Sequence, residues 1–185
     1  MSASAKEKQK SKELEELKTG NAVGRRAASL ADRIEEGAAG LAAFAEGLSE
    51  AEWLTPVPES GKGGRSVGVI VHHVASLYPI EIDLARTIAA GKAVTDLTWE
   101  VVAQLNAKHA QDQAGVTKAP ALELLRRNSR EAAAAVRAFT DDELDRAEPF
   151  SLSFGAPVTA QFVIEDHALR HSWHHLARIR KALGR

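Results

Sequence analysis

The sequence predicts an all-α protein, a four-helix bundle, from three observations. Apolar residues recur at helical spacing through four long segments. Prolines and glycines concentrate in the stretches between them. No segment of any length alternates apolar and polar residues as a half-buried strand does, and no internal repeat is evident. The 185 residues suffice for one domain with a continuous core, and 44% hydrophobic residues is ordinary for a globular chain.

Taken in order, residues 1–20 alternate charges with few large apolar groups and read as a charged N-terminal extension, frayed or a solvated surface helix. The bundle then occupies 21–185. Its first helix runs from about Arg25 to Gly47, with Leu30, Ile34, Leu41, Phe44 and Leu48 forming its stripe. Gly37 and Gly40 on its Ala-rich face allow close helix approach, inside the bundle or between two copies of the chain. Thr55 to Gly64 holds two prolines and three glycines and is predicted as a loop, with Gly61-Lys62-Gly63-Gly64 a flexible connector that lacks phosphate-loop spacing.

Ser66 is a good N-cap for a second helix that stops at Gly91, with a kink expected at Pro79. A shorter helix over 98–113 separates it from the third, which runs from about Ala119 to Phe139. That intervening helix allows a crossover, so simple up-down-up-down order does not follow. Thr140 can cap a short turn. Residues 146–157 are irregular, with the apolar Ser-Leu-Ser-Phe a candidate extended piece, and the last helix covers roughly 158–183.

Composition bounds function. A net charge of -1 gives no global steering toward nucleic acid or anionic membranes. There is no cysteine, which removes disulfides, thiolate metal sites and cysteine nucleophiles and leaves nitrogen and oxygen ligands for any metal. The N-terminal segment has no apolar core of the signal-peptide kind, and no apolar run approaches the roughly 20 residues of a membrane span. A soluble, cytoplasmic protein without nucleic-acid or membrane partners is expected.

The seven histidines are unevenly placed, four of them within nine residues of the last helix, His-Ala-Leu-Arg-His-Ser-Trp-His-His. At about 100° per residue, His171 and His175 fall on the inward edge, one turn apart, while His167 and His174 project with charged residues toward water. Two imidazoles at i and i+4 can grip one metal ion. On the second helix His73 borders the apolar face of Val67, Ile70, Val74, Leu77, Leu84 and Ile88, and His72 groups outside with Asp83 and Arg86. Glu81 projects near the centre of that face, where an unpaired carboxylate is costly. It can accept a hydrogen bond from a ligand histidine, act as a base, or pair with an arginine. The metal candidates are therefore His73, His171 and His175, and Glu81 and His72 are the acid–base candidates. His109 and Asn106 are expected on the solvated face of the connecting helix, with the pocket mouth as the alternative. Trp53, Trp99 and Trp173 are expected to pack between helices.

At these residues the sequence resembles the DinB-like superfamily, over about residues 25–183. Gly-Leu-Ser-Glu-Ala-Glu-Trp, a loop, and then Ser-Val-Gly ahead of a helical His-hydrophobic-Ala is similar to the family pattern and selects His73 over His72. His171-x-x-x-His175 resembles its terminal pair, and Asn106 an Asn that often follows the second helix. Leu-Ala-Arg replaces the Arg-Gly-Gln frequent after the last histidine, and Arg65 stands where a Trp is frequent. The resemblance implies a DinB/YfiT-type bundle and a divalent metal, typically zinc or nickel. It further implies a metal-dependent hydrolase or a low-molecular-weight thiol transferase acting on a small molecule. Dimerisation is expected. The alternative is a non-catalytic small-ligand-binding or stress-associated interaction protein on the same bundle.

Overall fold

The computed structural model describes residues 24–58 and 64–185. The charged extension over 1–20 and the Gly61-Lys62-Gly63 part of the connector lie outside the described residues. Four long helical segments form the bundle: α1 (Arg25–Glu46), α3 (Val67–Ala89), α5 (Lys118–Arg137), and a final rod made of α7 (Ala160–Val163), a π-helical segment (Ile164–Leu169) and α8 (Arg170–Leu183). The shorter helices are α2 (Glu50–Trp53), α4 (Trp99–Asp112) and α6 (Asp141–Asp145). The extra helix predicted between the second and third long helices is α4.

Both α1 and α3 pack mainly along α5 and the final rod, so the first and second long helices sit across the bundle from each other, as do the third and fourth. Simple up-down-up-down order is thus absent, as the sequence allows, but the crossovers are the α1–α3 and α5–rod connections; the intervening α4 joins two neighbouring helices. The core they enclose includes Leu30, Ile34 and Leu41 of α1, Ile70 and Ile88 of α3, Leu125 of α5 and Ile179 of α8.

Side-chain caps fix where helices start. Ser66 accepts from the Val69 N–H at 3.3 Å, and Ser49 with Glu52 and Thr140 with Glu143 form complete capping boxes. Helix α3 carries Pro79 in its interior. Proline has no N–H for the carbonyl four residues earlier, and the buried Asn128 of α5 supplies the missing donor, its Nδ2 reaching Ala75 O at 2.9 Å. By length and composition α3 also qualifies as a membrane span, contrary to expectation, but much of it is buried inside the bundle.

The irregular regions hold more strand than expected. β1 (Pro56–Val57) pairs antiparallel with β2 (Arg65–Ser66), and β3 (Ala147–Pro149) with β4 (Pro157–Thr159). The Ser-Leu-Ser-Phe piece is not extended. Ser151–Ser153 is a 3-10 turn ending at Phe154 with φ 58°, and the strands flank it.

Two glycines are set by aromatic rings. A Cβ on Gly68 would stand 2.4 Å from the Trp53 indole, and one on Gly37 would stand 2.7 Å from the Trp173 indole. The glycine of Ser66-Val67-Gly68 therefore serves the seating of Trp53, whose Nε1 donates to Val116 O at 2.9 Å. Gly37 and Gly40 both face the final rod, so close approach occurs within the bundle. Of the three tryptophans only Trp53 is buried; Trp99 and Trp173 are exposed by 55% and 40%.

Candidate metal centre

Helix α3 and the final rod bring His73, His171 and His175 together. One ring nitrogen of each lies within 4.8 Å of the other two. The centroid separations are 5.1 Å for His73–His171, 5.6 Å for His73–His175 and 4.8 Å for His171–His175. A fully buried hydrogen bond of 2.6 Å between Tyr78 and Ser172 pins the two helices beside the cluster.

Glu81 completes the arrangement. It is buried, and His171 donates Nδ1–H to its Oε1 at 2.7 Å. A carboxylate in that position fixes the tautomer, leaving the His171 Nε2 lone pair available to a metal. Of the three roles open to Glu81 in the sequence, the structure therefore displays the hydrogen bond to a candidate ligand.

The remaining electrostatics fit a cation. Burial, helped by neighbouring positive groups, holds the His73 pKa down to about 2. The same causes depress His175 further. Both rings stay neutral at physiological pH, the form that binds metals. His175 Nδ1 and Glu81 Oε2 are buried without a hydrogen-bond partner among the described residues. Three imidazoles, two of them held neutral by burial and the third with a carboxylate behind it, suit a divalent first-row ion.

The cluster opens on a cavity of about 340 Å³. Leu77 and Leu84, expected in the core, are only half-buried because they form its wall. Asn106 and Trp99 of α4 also line it, which places Asn106 at the pocket mouth and Trp99 away from the helix interfaces.

Three histidine placements differ from expectation. His167 is half-buried and lines the cavity, with its ring 5.7 Å from that of Phe150. The π-helical turn explains this: i→i+5 bonding advances each residue less than 100° about the axis, so a wheel anchored at His171 and His175 misplaces what precedes them. His72 is half-buried beneath α4, its Nδ1 2.9 Å from His109 Nε2, and does not line the cavity. His109 is correspondingly half-buried, its ring 5.5 Å from that of His73. His174 is exposed, as its helical position indicates.

Sequence reasoning missed Arg65, Asp166, Arg170 and Arg178 as cavity residues. The i, i+4 spacing of Asp166, Arg170, His174 and Arg178 marks a common stripe, but that stripe reads equally well as a solvated face.

A four-helix bundle whose helices present three imidazoles to an open cavity defines an α-helical protein with a candidate metal centre. The chain belongs to the DinB superfamily, whose model matches residues 33–179. Its fold is similar to that of YfiT from Bacillus subtilis, described as a probable metal-dependent hydrolase with an unusual four-helix bundle topology. The TM-score is 0.66 at 20% identity, covering 84% of this chain and 85% of that one. The colibactin self-resistance protein ClbS, solved in complex with a double-stranded DNA, gives a TM-score of 0.66 at 18% identity, covering 84% and 94%. The mycothiol-dependent maleylpyruvate isomerase gives 0.60 at 14% identity, covering 83% of this chain and 59% of that one. No curated protein matches the chain.

Proposed function

We propose that this protein is a metal-dependent hydrolase of a small molecule, with His73, His171 and His175 as ligands of one divalent ion. The observation that carries the reading is the convergence of three ring nitrogens within 4.8 Å at the wall of an open cavity. A divalent ion held there supplies Lewis acidity beside the substrate. Glu81 acts as a positioning residue, orienting the His171 ring through its Nδ1–H. His72 acts from behind His73, through His109, without touching substrate.

Hydrolysis is favoured over thiol transfer by space and composition. The chain has no cysteine, so a transferred thiol enters as a second substrate. A cavity of about 340 Å³ is at the lower end of the roughly 300–1,000 Å³ typical of ligand pockets, which leaves little room for two organic reactants. Thiol transfer remains the second reading because a mycothiol-dependent isomerase shares the fold. A cytoplasmic, homodimeric protein that uses zinc or nickel is part of this proposal.

The test is elemental analysis of untagged protein beside the His171→Ala/His175→Ala variant, followed by ester and amide hydrolysis and thiol-transfer assays. About one equivalent of zinc or nickel, lost in a folded variant, is expected. Wild-type protein that stays metal-free after incubation with both ions overturns the site and leaves the non-catalytic ligand-binding role.

A further inference from the structure

The cavity has an apolar end. Helix α4 runs back along α3, with its His109 Nε2 2.9 Å from His72 Nδ1 and its Trp99 donating Nε1–H to the Leu152 carbonyl at 3.1 Å. The three candidate ligands therefore stand at one end of the cavity, and Trp99, Leu152 and the neighbouring Leu97 at the other. Between them Leu77 and Leu84 of α3 line the wall, two turns apart, or roughly 10 Å at about 1.5 Å per residue.

The apolar surface at that end is not covered by the protein's own packing. No residue of α4 is fully buried, although Trp99, Val102 and Leu105 recur at helical spacing on one face. That face borders the cavity instead of the core. Ile80 of α3, Trp99 and Leu105 are 51%, 55% and 56% exposed, and all three line the same cavity. Large apolar side chains gathered around one opening, and not scattered singly, mark a surface that a ligand covers. The hydrogen bond to Leu152 holds the Trp99 ring in place at the mouth. The two carboxylates of the lining are already paired, Glu81 with His171 at 2.7 Å and Asp166 with Arg170 at 3.1 Å, so neither calls for a cationic body.

We propose that the site takes an ester or amide with a single apolar body of about eight carbons. Its carbonyl lies beside His73, His171 and His175, and its body runs under α4 along Leu77 and Leu84 to Leu97, Trp99 and Leu152. The inference rests on the metal-dependent hydrolase reading above for which end of the substrate reacts. The length follows from the wall. Carbon–carbon bonds of about 1.5 Å advance an extended chain by roughly 1.3 Å per atom, so about eight carbons span the distance from Leu77 to Leu84. Each methylene buried against such a wall tightens binding about fourfold. An ether oxygen placed there gives up its hydrogen bonds to water and meets leucine.

The probes are butanamide, hexanamide, octanamide and 3-(2-methoxyethoxy)propanamide, an ether with the same number of chain atoms as octanamide. They are titrated calorimetrically into zinc-loaded and metal-stripped protein. Binding is expected to tighten along the amide series in both preparations, octanamide exceeding butanamide by about tenfold or more, with the ether near the butanamide level. Trp99→Ser and Leu84→Asn act on the far end of the body, so each lowers octanamide binding by about fivefold and butanamide binding by less. Trp173→Ala, at an exposed tryptophan outside the cavity, leaves the length dependence unchanged. Melting curves establish that each variant is folded, and Leu84→Ala substitutes if Leu84→Asn is not. Equal binding of butanamide and octanamide overturns the proposal, as does octanamide binding that survives both cavity variants. An equal loss of short and long amides in those variants overturns it too, since the body then does not point away from the histidines. Ether binding as tight as that of octanamide refutes it, and so does absence of octanamide binding at millimolar concentration. Zinc stoichiometry is read separately. Length-dependent binding in protein that takes up no zinc sustains the substrate class and defeats the metal site alone, and one equivalent of zinc with length-independent binding does the reverse.

Discussion

Replacing Glu81 by glutamine tests the centre with little change of shape. The wild-type carboxylate is 5% exposed, accepts from His171 Nδ1 at 2.7 Å and has a second oxygen with no hydrogen-bond partner among the described residues. Glutamine keeps an acceptor at that distance but loses the charge that makes His171 a stronger donor of electron density. It also brings an NH2 group, which can rotate toward the ring and select the other tautomer. Loss of such an orienting partner costs about 10–100-fold in metal affinity, equivalent to about 1.4–2.7 kcal/mol. Competition against a chromophoric zinc chelator reads the affinity, and thermal unfolding of the metal-free protein reads the fold. The expected result is weaker zinc binding at unchanged stoichiometry. An affinity within twofold of wild type, in a folded variant, refutes Glu81 as the group that orients His171.

Two further outcomes follow from the buried polar groups. Asn128→Leu removes the donor to the Ala75 carbonyl orphaned by Pro79 and should destabilise the protein by about 1–3 kcal/mol; in a Pro79→Ala background, where an N–H returns, it should cost less, and additive losses in a denaturant double-mutant cycle refute the compensation. For His73, the folded pKa of about 2 lies below the unfolded value near 6.5, so its contribution to stability is complete above pH 6.5 and is lost as pH falls toward 2. Between pH 7 and pH 5 that single group removes about 2 kcal/mol from the metal-free protein, and His175 acts in the same direction; unfolding free energies that stay flat over this interval refute the assignment of buried neutral rings.

Much of the site was legible because helical spacing converts directly into facing. His171 and His175 one turn apart, and His73 at the border of the α3 stripe, are placed by the 3.6-residue period alone, and the structure brings them within reach of one ion. Glu81 stood out because a carboxylate in an apolar stripe needs a reason. The period failed where the backbone departs from it, in the π-helical turn that returns His167 to the cavity. It also failed where another element covers a face: His72 looks exposed on α3 and is overlaid by His109 of α4.

The sequence by itself indicated the four long helices and the shorter one between the second and third, the caps at Ser66 and Thr140, the apolar stripes and the candidate ligands, since each is read from residues within a few turns of one another on one helix. Only the tertiary structure decided which alternative Glu81 takes, which donor answers Pro79, and which half of each apolar stripe is core and which is cavity wall. Leu77 and Leu84 share a stripe with Val74 and Ile88, yet two meet solid packing and two meet space. That difference lies in where α4 and the final rod stand relative to α3, a relation between elements distant in sequence that no local pattern encodes.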